Sequence, residues 1–181
     1  LVVGTARGDG ASTVAQNFAA SLAQDTDRQV LFVNADTHPA GKIARRKTPD
    51  PVAGGLAVLA QPGSNQPMPV QLGSLHVMPS GLGLSDPATF FQSKRFNAFI
   101  TEMTPRFDYI VIDGPPLDDA PESLALSASV DGVILVLDAQ RTRRKTALRA
   151  KKRIEDLGGK VVGVVLNRRE YFVPKWLYRR I

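Results

Sequence analysis

Apolar, β-branched runs alternate along the chain with segments in which apolar residues recur at helical spacing. The apolar runs predict strands at 1–4, 29–36, 74–81, 107–116, 131–139 and 160–167. The helical spacing predicts helices at 12–25, 87–103 and 141–159, with Gly158 ending the last one. A Pro- and Gly-rich stretch, 37–69, interrupts the alternation. Continuous apolar strands interleaved with helices predict a three-layer α/β/α domain around a mostly parallel sheet.

Each predicted helix has one apolar face that should pack on the sheet. The residues assigned to these faces are Val14, Phe18, Ala19 and Leu22; Phe90, Phe91, Phe96, Phe99 and Ile100; and Ala147, Ala150, Ile154 and Leu157.

Composition narrows the class of protein. A chain of 181 residues with 43% apolar residues is long enough for one domain with a proper core. The absence of cysteine excludes disulfides and thiolate metal sites. No apolar run approaches the roughly 20 residues of a membrane span.

The net charge of +6 is unevenly distributed along the chain, because residues 141–181 hold 14 of the 23 lysines and arginines but 3 of the 17 acids. This asymmetry predicts a local surface for an anionic partner.

Polar residues follow the ends of the predicted strands. They lie at 4–13, 34–36, 113–116, 138 and 167. Ligands of parallel α/β sheets bind at the carboxyl ends of the strands, so a nucleotide-sized ligand is expected there.

The segment "GTARGDGASTVAQN" at 4–17 contains the glycines and the hydroxyl residues of a phosphate-binding loop. Gly8 and Gly10 allow backbone N–H groups to point at phosphate oxygens, and Ser12 is placed to ligate Mg²⁺. The lysine that such a loop requires is replaced by Ala11. From these residues alone, a degraded phosphate site and a Gly-rich turn without a ligand are equally good interpretations.

Two acids end predicted strands nearby. Asp36 closes "VNAD" and Asp113 closes "YIVID". Both are candidates for a Mg²⁺ shell, whereas Asn34 is isosteric with aspartate but a poor general base.

The order "GTARGDGASTVAQNFA", "VLFVNADTHP", "LHVMPSG", "FDYIVIDGPPL" and "GVILVLDAQRTRRKTALRA…GGKVVGVVLNR" resembles the ParA/MinD branch of P-loop ATPases. Within that branch the chain is most similar to the bacterial tyrosine kinases (BY-kinases) of capsule and exopolysaccharide synthesis. The resemblance covers nearly the whole chain. It implies a P-loop domain at 1–168, with its first strand cut short, and a basic aromatic tail at 169–181.

The resemblance also implies functional residues and cofactors. ATP or ADP would lie on the loop, and Mg²⁺ on Ser12, Asp36 and Asp113, with the two acids as catalytic residues. The nucleotide-binding residues are then Arg7, Gly8, Asp9, Gly10, Ala11, Ser12 and Thr13, together with Asn167 beside adenine.

The chain departs from this family at charged positions. The Walker A lysine is Ala11, and the ParA signature lysine is Ala6. The first acid of the second Walker motif, implied as the base on the attacking tyrosine, is Asn34, and the motif's arginine is His38. Candidate phosphoacceptors are reduced to Tyr171 and Tyr178. These losses predict a pseudokinase. Arg7 is a candidate substitute cation, but its long side chain starts from the wrong point to bridge the β- and γ-phosphates.

The predicted role is a regulatory or scaffolding subunit beside a membrane polysaccharide co-polymerase, or chain-length regulator. The expected location is cytoplasmic and peripheral to the inner membrane, and a second copy of the chain is a further candidate partner, in a homo-oligomer. One alternative is an active ATP-dependent tyrosine autokinase or ATPase with a remodelled loop. Another is a ParA-like, DNA-associated positioning ATPase, although nucleic acid is the less favoured partner.

The basic residues of the last predicted helix bear on these alternatives. They are Arg141, Arg143, Arg144, Lys145, Arg149, Lys151, Lys152 and Arg153. A solvated face, oligomer contacts, a membrane surface and DNA all remain open interpretations of this helix.

Overall fold

A computed structural model of the chain describes residues 1–36, 56, 59, 69–80 and 86–170. The described strands are β1 (Val2–Gly4), β2 (Val30–Asn34), β3 (Val70–Leu72), β4 (Leu75–Met78), β5 (Tyr109–Asp113), β6 (Val133–Asp138) and β7 (Val161–Asn167). The described helices are α1 (Ala11–Asp25), α2 (Pro87–Phe91), α3 (Lys94–Met103), α4 (Pro121–Ser127) and α5 (Arg144–Asp156).

The described strands form one seven-stranded sheet in the order β3-β4-β2-β5-β1-β6-β7. Strand β3 is antiparallel to β4, and the other neighbouring pairs are parallel. Parallel strands need crossover connections, and the described helices lie in those from β1 to β2, β4 to β5, β5 to β6 and β6 to β7. The predicted α/β fold with a mostly parallel sheet is confirmed.

Apolar side chains are buried on both faces of the sheet. One core cluster includes Leu31, Leu135 and Ile154, and the other includes Phe32 and Ala15. Successive residues of a strand point to opposite faces, so neighbours such as Leu31 and Phe32 enter different clusters. Continuous apolar runs such as Val30–Val33 are therefore required by a sheet that is covered on both sides.

The single helix predicted at 87–103 is wrong, because the chain forms α2 and α3 there. The Asp86 side chain accepts a hydrogen bond from the Thr89 backbone N–H (3.1 Å), and Ser93 accepts one from Phe96 (3.3 Å). Each is an N-cap, so the second cap starts a new helix within the predicted one. The buried phenylalanines still form one group, since Phe91 and Phe96 meet edge to face at 5.1 Å.

Other differences concern short elements and helix faces. Helix α4 and strand β3 were not predicted, and α5 begins at Arg144 rather than at 141. Leu157, assigned to the apolar face, is 53% exposed because it lies at the C-cap, where Gly158 (φ 86°) turns the chain. Phe18 is also exposed, since the small residues Ala15 and Ala19 form the buried side of α1.

Several predictions fall outside the described residues. They concern most of the 37–69 stretch, His38, and the tail residues Tyr171 and Tyr178. Within the described ranges, no helix combines the length and apolar character needed to cross a bilayer.

Candidate functional site

The predicted strand ends meet at one edge of the sheet. In the register of the ladders, Asn34 lies beside Asp113, and Asp138 lies beside Asn167. The loop after β1 follows the strand between β5 and β6, so it sits between these two pairs. The structure thus brings the sequence-predicted residues of the sheet edge together.

The loop after β1 turns on two glycines with left-handed backbone. Gly8 has φ 84° and Gly10 has φ 89°, a region that L side chains rarely adopt. Helix α1 begins directly after Gly10, and the Val14 N–H donates to the Gly10 carbonyl (3.0 Å). The free N–H groups of the first turn of α1 therefore lie at this loop, where they favour an anion.

A buried carboxylate holds the loop in shape. Asp9 Oδ2 accepts hydrogen bonds from the Thr5 N–H (2.9 Å), the Thr5 hydroxyl (2.6 Å) and the Ala6 N–H (2.9 Å). The sequence placed Asp9 among the nucleotide-binding residues. The carboxylate thus holds the loop, and the contact of Asp9 with a nucleotide stays a prediction.

Arg141 ties the same loop to the ends of β6 and β7, a role that the sequence analysis missed. Its guanidinium donates to Asp138 Oδ2 (3.0 Å) and to the Arg7 carbonyl (3.2 Å), and lies 3.6 Å from Asp9 Oδ1. The pKa of Asp138 is held below its usual range. The hydrogen bond from the Gln140 backbone N–H contributes most to this lowering, and those from Arg141 and Arg168 contribute less. Arg141 therefore belongs to the loop network and not to the basic helix face to which it was assigned.

Asn167, predicted to lie beside adenine, also contacts the loop. Its side-chain Nδ2 donates to the Asp9 carbonyl (2.9 Å). The same amide lies so close to Gly10 that a Cβ built there would come within 2.2 Å of Nδ2. The Asn167 amide group therefore packs against the loop and donates a hydrogen bond to its backbone.

Asp113 is the most perturbed acid of the site. Its side chain is buried, and Oδ1 has no hydrogen-bond partner among the described residues. Burial raises the pKa of Asp113 to about 7, the Ser12 hydrogen bond opposes this rise, and the negative charge of Asp36 adds to it. A buried carboxylate with an unused oxygen is suited to receive a cation.

The neighbouring position on β2 is neutral. Asn34 Oδ1 accepts a hydrogen bond from the Asp36 backbone N–H (3.1 Å). This bond turns the chain after β2 and places the half-buried Asp36 close enough to act on Asp113. The second Walker motif therefore keeps one of its acids, Asp36, and has the neutral Asn34 in place of the other.

The oxygen donors of this edge fit Mg²⁺. Ser12, Asp36 and Asp113 offer a hydroxyl and two carboxylates, which are ligands that Mg²⁺ prefers. The described residues contain no group of three or more acids, histidines or cysteines suited to a metal. Mg²⁺ usually keeps waters and takes phosphate oxygens of its substrate, so a small protein ligand set is sufficient only together with a nucleotide.

The phosphate side of the loop lacks the expected charge. Ala11 stands at the first turn of α1 and carries no charge. Arg7 Nε lies 2.8 Å from Asp119 Oδ2 in a solvent-accessible ion pair, so its guanidinium is directed at the loop after β5. The structure gives no support to Arg7 as a replacement for lysine.

Known proteins are similar to this chain in sequence and in fold. The model of the ParA family, described as the NUBPL iron-transfer P-loop NTPases, matches residues 1–178. The tyrosine-protein kinase CpsD of Streptococcus agalactiae is 31% identical over 89% of this chain and 71% of its own length. The chain belongs to the CpsD-type tyrosine-kinase branch of the ParA-family P-loop NTPases. The resemblance stated from the sequence is confirmed.

Solved structures agree with this membership. The VpsO kinase domain superposes with a TM-score of 0.82 and 27% identity, over 93% of this chain and 83% of that one. A cobyrinic acid a,c-diamide synthase from Mycobacterium smegmatis with bound ADP and magnesium has a TM-score of 0.67 over 90% of this chain and 70% of its own. At 18% identity, that likeness concerns the fold alone.

The iron-transfer activity in the family description has no thiolate basis in this CpsD-type chain. The sequence contains no cysteine, and iron–sulfur clusters are held chiefly by cysteine thiolates. The comparison with the kinase relatives rests on the 31% identity to CpsD over 89% of this chain.

Replacing Gly10 with alanine should destabilise this P-loop domain selectively. The substitution combines a positive φ with the contact to Asn167, so we expect a loss of about 2–3 kcal/mol in the free energy of unfolding. Gly158→Ala is the matched control, because Gly158 has φ 86° but nothing within 4 Å of a built Cβ. It should cost about 1 kcal/mol. Equal losses in urea denaturation would show that the loop does not pack against Asn167.

Proposed function

We propose that this chain is a catalytically impaired tyrosine-kinase homologue that acts as a regulatory or scaffolding subunit in capsule or exopolysaccharide synthesis and export. The observation that carries the proposal is the uncharged Ala11 at the start of α1, at the position of the Walker A lysine. In phosphoryl transfer that lysine contacts the β- and γ-phosphates and stabilises the charge that develops between them. An alanine methyl group supplies no such stabilisation.

A second loss supports the same conclusion. Asn34 replaces the acid that would accept the proton of an attacking tyrosine, and an amide is not a general base at neutral pH. A single preorganised electrostatic contact is typically worth about 3–4 kcal/mol in a transition state, or a factor of roughly 10²–10³ in rate. Treated as independent, the two losses would lower the rate of phosphoryl transfer by a factor of roughly 10⁴–10⁶.

The retained groups support nucleotide binding rather than chemistry. Asp113, with its unused buried oxygen, and Ser12 remain in place for Mg²⁺, and the Gly8–Gly10 turn remains in place for phosphate. ATP or ADP with Mg²⁺ would thus be held as a ligand and not consumed.

The proposed partner follows from the family resemblance. It is a membrane polysaccharide co-polymerase, or chain-length regulator, whose cytoplasmic end would receive this domain. Binding to that partner would place the chain in the cytoplasm and peripheral to the inner membrane, as one copy or as a homo-oligomer.

The test is autophosphorylation by the purified protein. After incubation with Mg²⁺ and ATP, intact-mass and peptide analysis should find no phosphate on Tyr171 or Tyr178. An Asp113→Asn sample is the matched control for contaminating kinases, because it lacks the proposed Mg²⁺ ligand. Phosphotyrosine that forms in wild type and disappears in Asp113→Asn would refute the proposal. That result would establish the active-kinase alternative, which the retained Ser12 and Asp113 favour.

A further inference from the structure

The outer edge of the sheet exposes aliphatic side chains. Strand β7 ends the described sheet and pairs with β6 alone. Val164 and Leu166 are 56% and 54% exposed. They pair in register with Leu135 and Leu137, so they lie on the face of the sheet that α5 covers. Both side chains nevertheless stay exposed at this edge of the sheet.

A third exposed aliphatic side chain, Leu148 of α5, lies on the same side of the domain as Val164 and Leu166. Ala150 and Ile154 are the buried residues of α5, and Arg153 lies to one side, 3.9 Å from Asp118. Asp118 donates its N–H to the Thr5 carbonyl just after β1, so that side faces the middle of the sheet. At 100° per residue, Leu148 lies about 140° around the helix from Arg153, so it points outward from the sheet on the β7 side of α5. It is 55% exposed.

Three cations of α5 lie next to this leucine. Arg144, Lys145 and Lys152 are exposed and stand four, three and four residues from Leu148, the spacing of neighbours on a helix surface. None of them forms an ion pair with a described residue, whereas Lys151 is paired with Glu155 (3.4 Å). We call Leu148, Val164, Leu166, Arg144, Lys145 and Lys152 the edge patch.

The chemistry of the edge patch discriminates among partners. A second copy would bring like charges together. Protein interfaces are depleted in lysine and enriched in aromatic residues, and the edge patch has two lysines and no aromatic residue. Single-stranded nucleic acid is held by stacking on aromatic side chains, and duplex DNA offers little to exposed leucine and valine. Aliphatic side chains bordered by unpaired lysine and arginine fit the surface of an anionic bilayer. The aliphatic side chains enter the membrane interface, and the cations contact the phosphates of the lipid headgroups.

We propose that the edge patch binds the surface of an anionic lipid bilayer directly, without a protein partner. The interaction goes beyond the proposed scaffolding function, because it does not require nucleotide or a chain-length regulator. It would orient the domain with the edge of β7 and α5 toward the membrane.

The test is flotation of the full chain with vesicles of phosphatidylcholine alone or with 30 mol% phosphatidylglycerol. The protein should float with the anionic vesicles and not with the neutral ones, and 0.5 M salt should release it. Neutralising Lys145 and Lys152 as Lys145→Gln/Lys152→Gln should lower binding roughly thirtyfold. Leu148→Ser/Leu166→Ser should lower it roughly tenfold at unchanged charge.

The matched control neutralises two cations elsewhere. Lys94 and Arg95 are exposed on α3 and form no ion pair with described residues, so Lys94→Gln/Arg95→Gln should float like wild type. Circular dichroism of each variant verifies that the fold is retained.

Three results would overturn the proposal. The first is equal flotation with neutral and anionic vesicles, or none with either. The second is equal loss in the edge-patch and α3 variants, which would show a response to net charge alone. The third is loss only in Lys175→Gln/Trp176→Ser, which would assign the contact to the tail. Salt-sensitive binding of duplex DNA that depends on Lys145 and Lys152, without vesicle binding, would identify nucleic acid as the partner instead. Since flotation is measured without ATP, neither outcome depends on the catalytic state.

Discussion

Replacing Ala11 with lysine should raise the affinity of the protein for Mg²⁺–ATP by roughly ten- to a hundredfold. The new ammonium group would meet phosphate oxygens at the start of α1, and a hydrogen bond to a charged group is typically worth about 1.5–3 kcal/mol. Isothermal titration calorimetry of ATP and ADP with Mg²⁺ measures the change. Ala98→Lys adds the same charge at an exposed position of α3 and should leave the affinity within about twofold of wild type.

The outcome of this titration is informative about the loop. A gain limited to Ala11→Lys would mean that the glycine turn is a preserved phosphate site whose missing charge explains weak binding. Equal affinities in wild type and Ala11→Lys would contradict the account, because the loop would then not hold phosphate at α1. If neither protein gave a heat of binding, the nucleotide site would have lost more than the lysine.

Replacing Asp113 with asparagine should change how stability depends on pH. Burial raises the pKa of Asp113 to about 7, whereas an unfolded aspartate has a pKa near 3.8. Below about pH 4 the group is protonated in both states. Between about pH 4 and 7 the unfolded state ionises first, so wild type loses stability as pH rises through this window. The advantage of Asp113→Asn over wild type should therefore grow by about 2–4 kcal/mol between pH 4 and pH 8.

Urea denaturation at several pH values, with EDTA present, measures this difference. Asp118→Asn is the matched control, because Asp118 is an exposed carboxylate of the loop that follows Asp113. Its stability should follow the wild-type pH profile. Parallel profiles for wild type and Asp113→Asn would show that burial does not raise the pKa of Asp113 in the folded protein.

The sequence was sufficient to predict the sheet and the location of the site. Strands buried on both faces must be apolar throughout, and this makes runs such as those of β2, β5 and β6 easy to recognise. Polar residues directly after such runs must then meet at one edge of the sheet. The break between α2 and α3 escaped detection because the phenylalanine spacing continues across it, while Ser93 acts only through a local cap.

The interior of the site could not be predicted from the sequence. The contacts of Arg141 with Arg7 and Asp9 join residues more than 130 positions apart, and no local pattern reports them. Asp9 was assigned to ligand binding because it lies inside a motif, whereas its carboxylate is used by Thr5 and Ala6. The signal that was available is the pairing of Asp138 with Arg141, a carboxylate at a strand end three residues before a cation.

These contacts explain how the loop keeps its shape without its lysine. Asp9, Arg141 and Asn167 hold the backbone around Gly8 and Gly10 through hydrogen bonds that do not involve position 11. The charges needed for chemistry and the bonds needed for the fold thus belong to different residues. Loss of the charges leaves a domain that can still fold and present its surfaces to a partner.

The most direct test of the central claim is the rate of Mg²⁺–ATP hydrolysis by purified wild type compared with Ala11→Lys/Asn34→Asp. Wild type should show no turnover above the Asp113→Asn background, and the variant with both charged groups restored should show measurable turnover. Turnover in wild type at the rate of the restored variant would contradict it, because the two lost charges would then not limit catalysis.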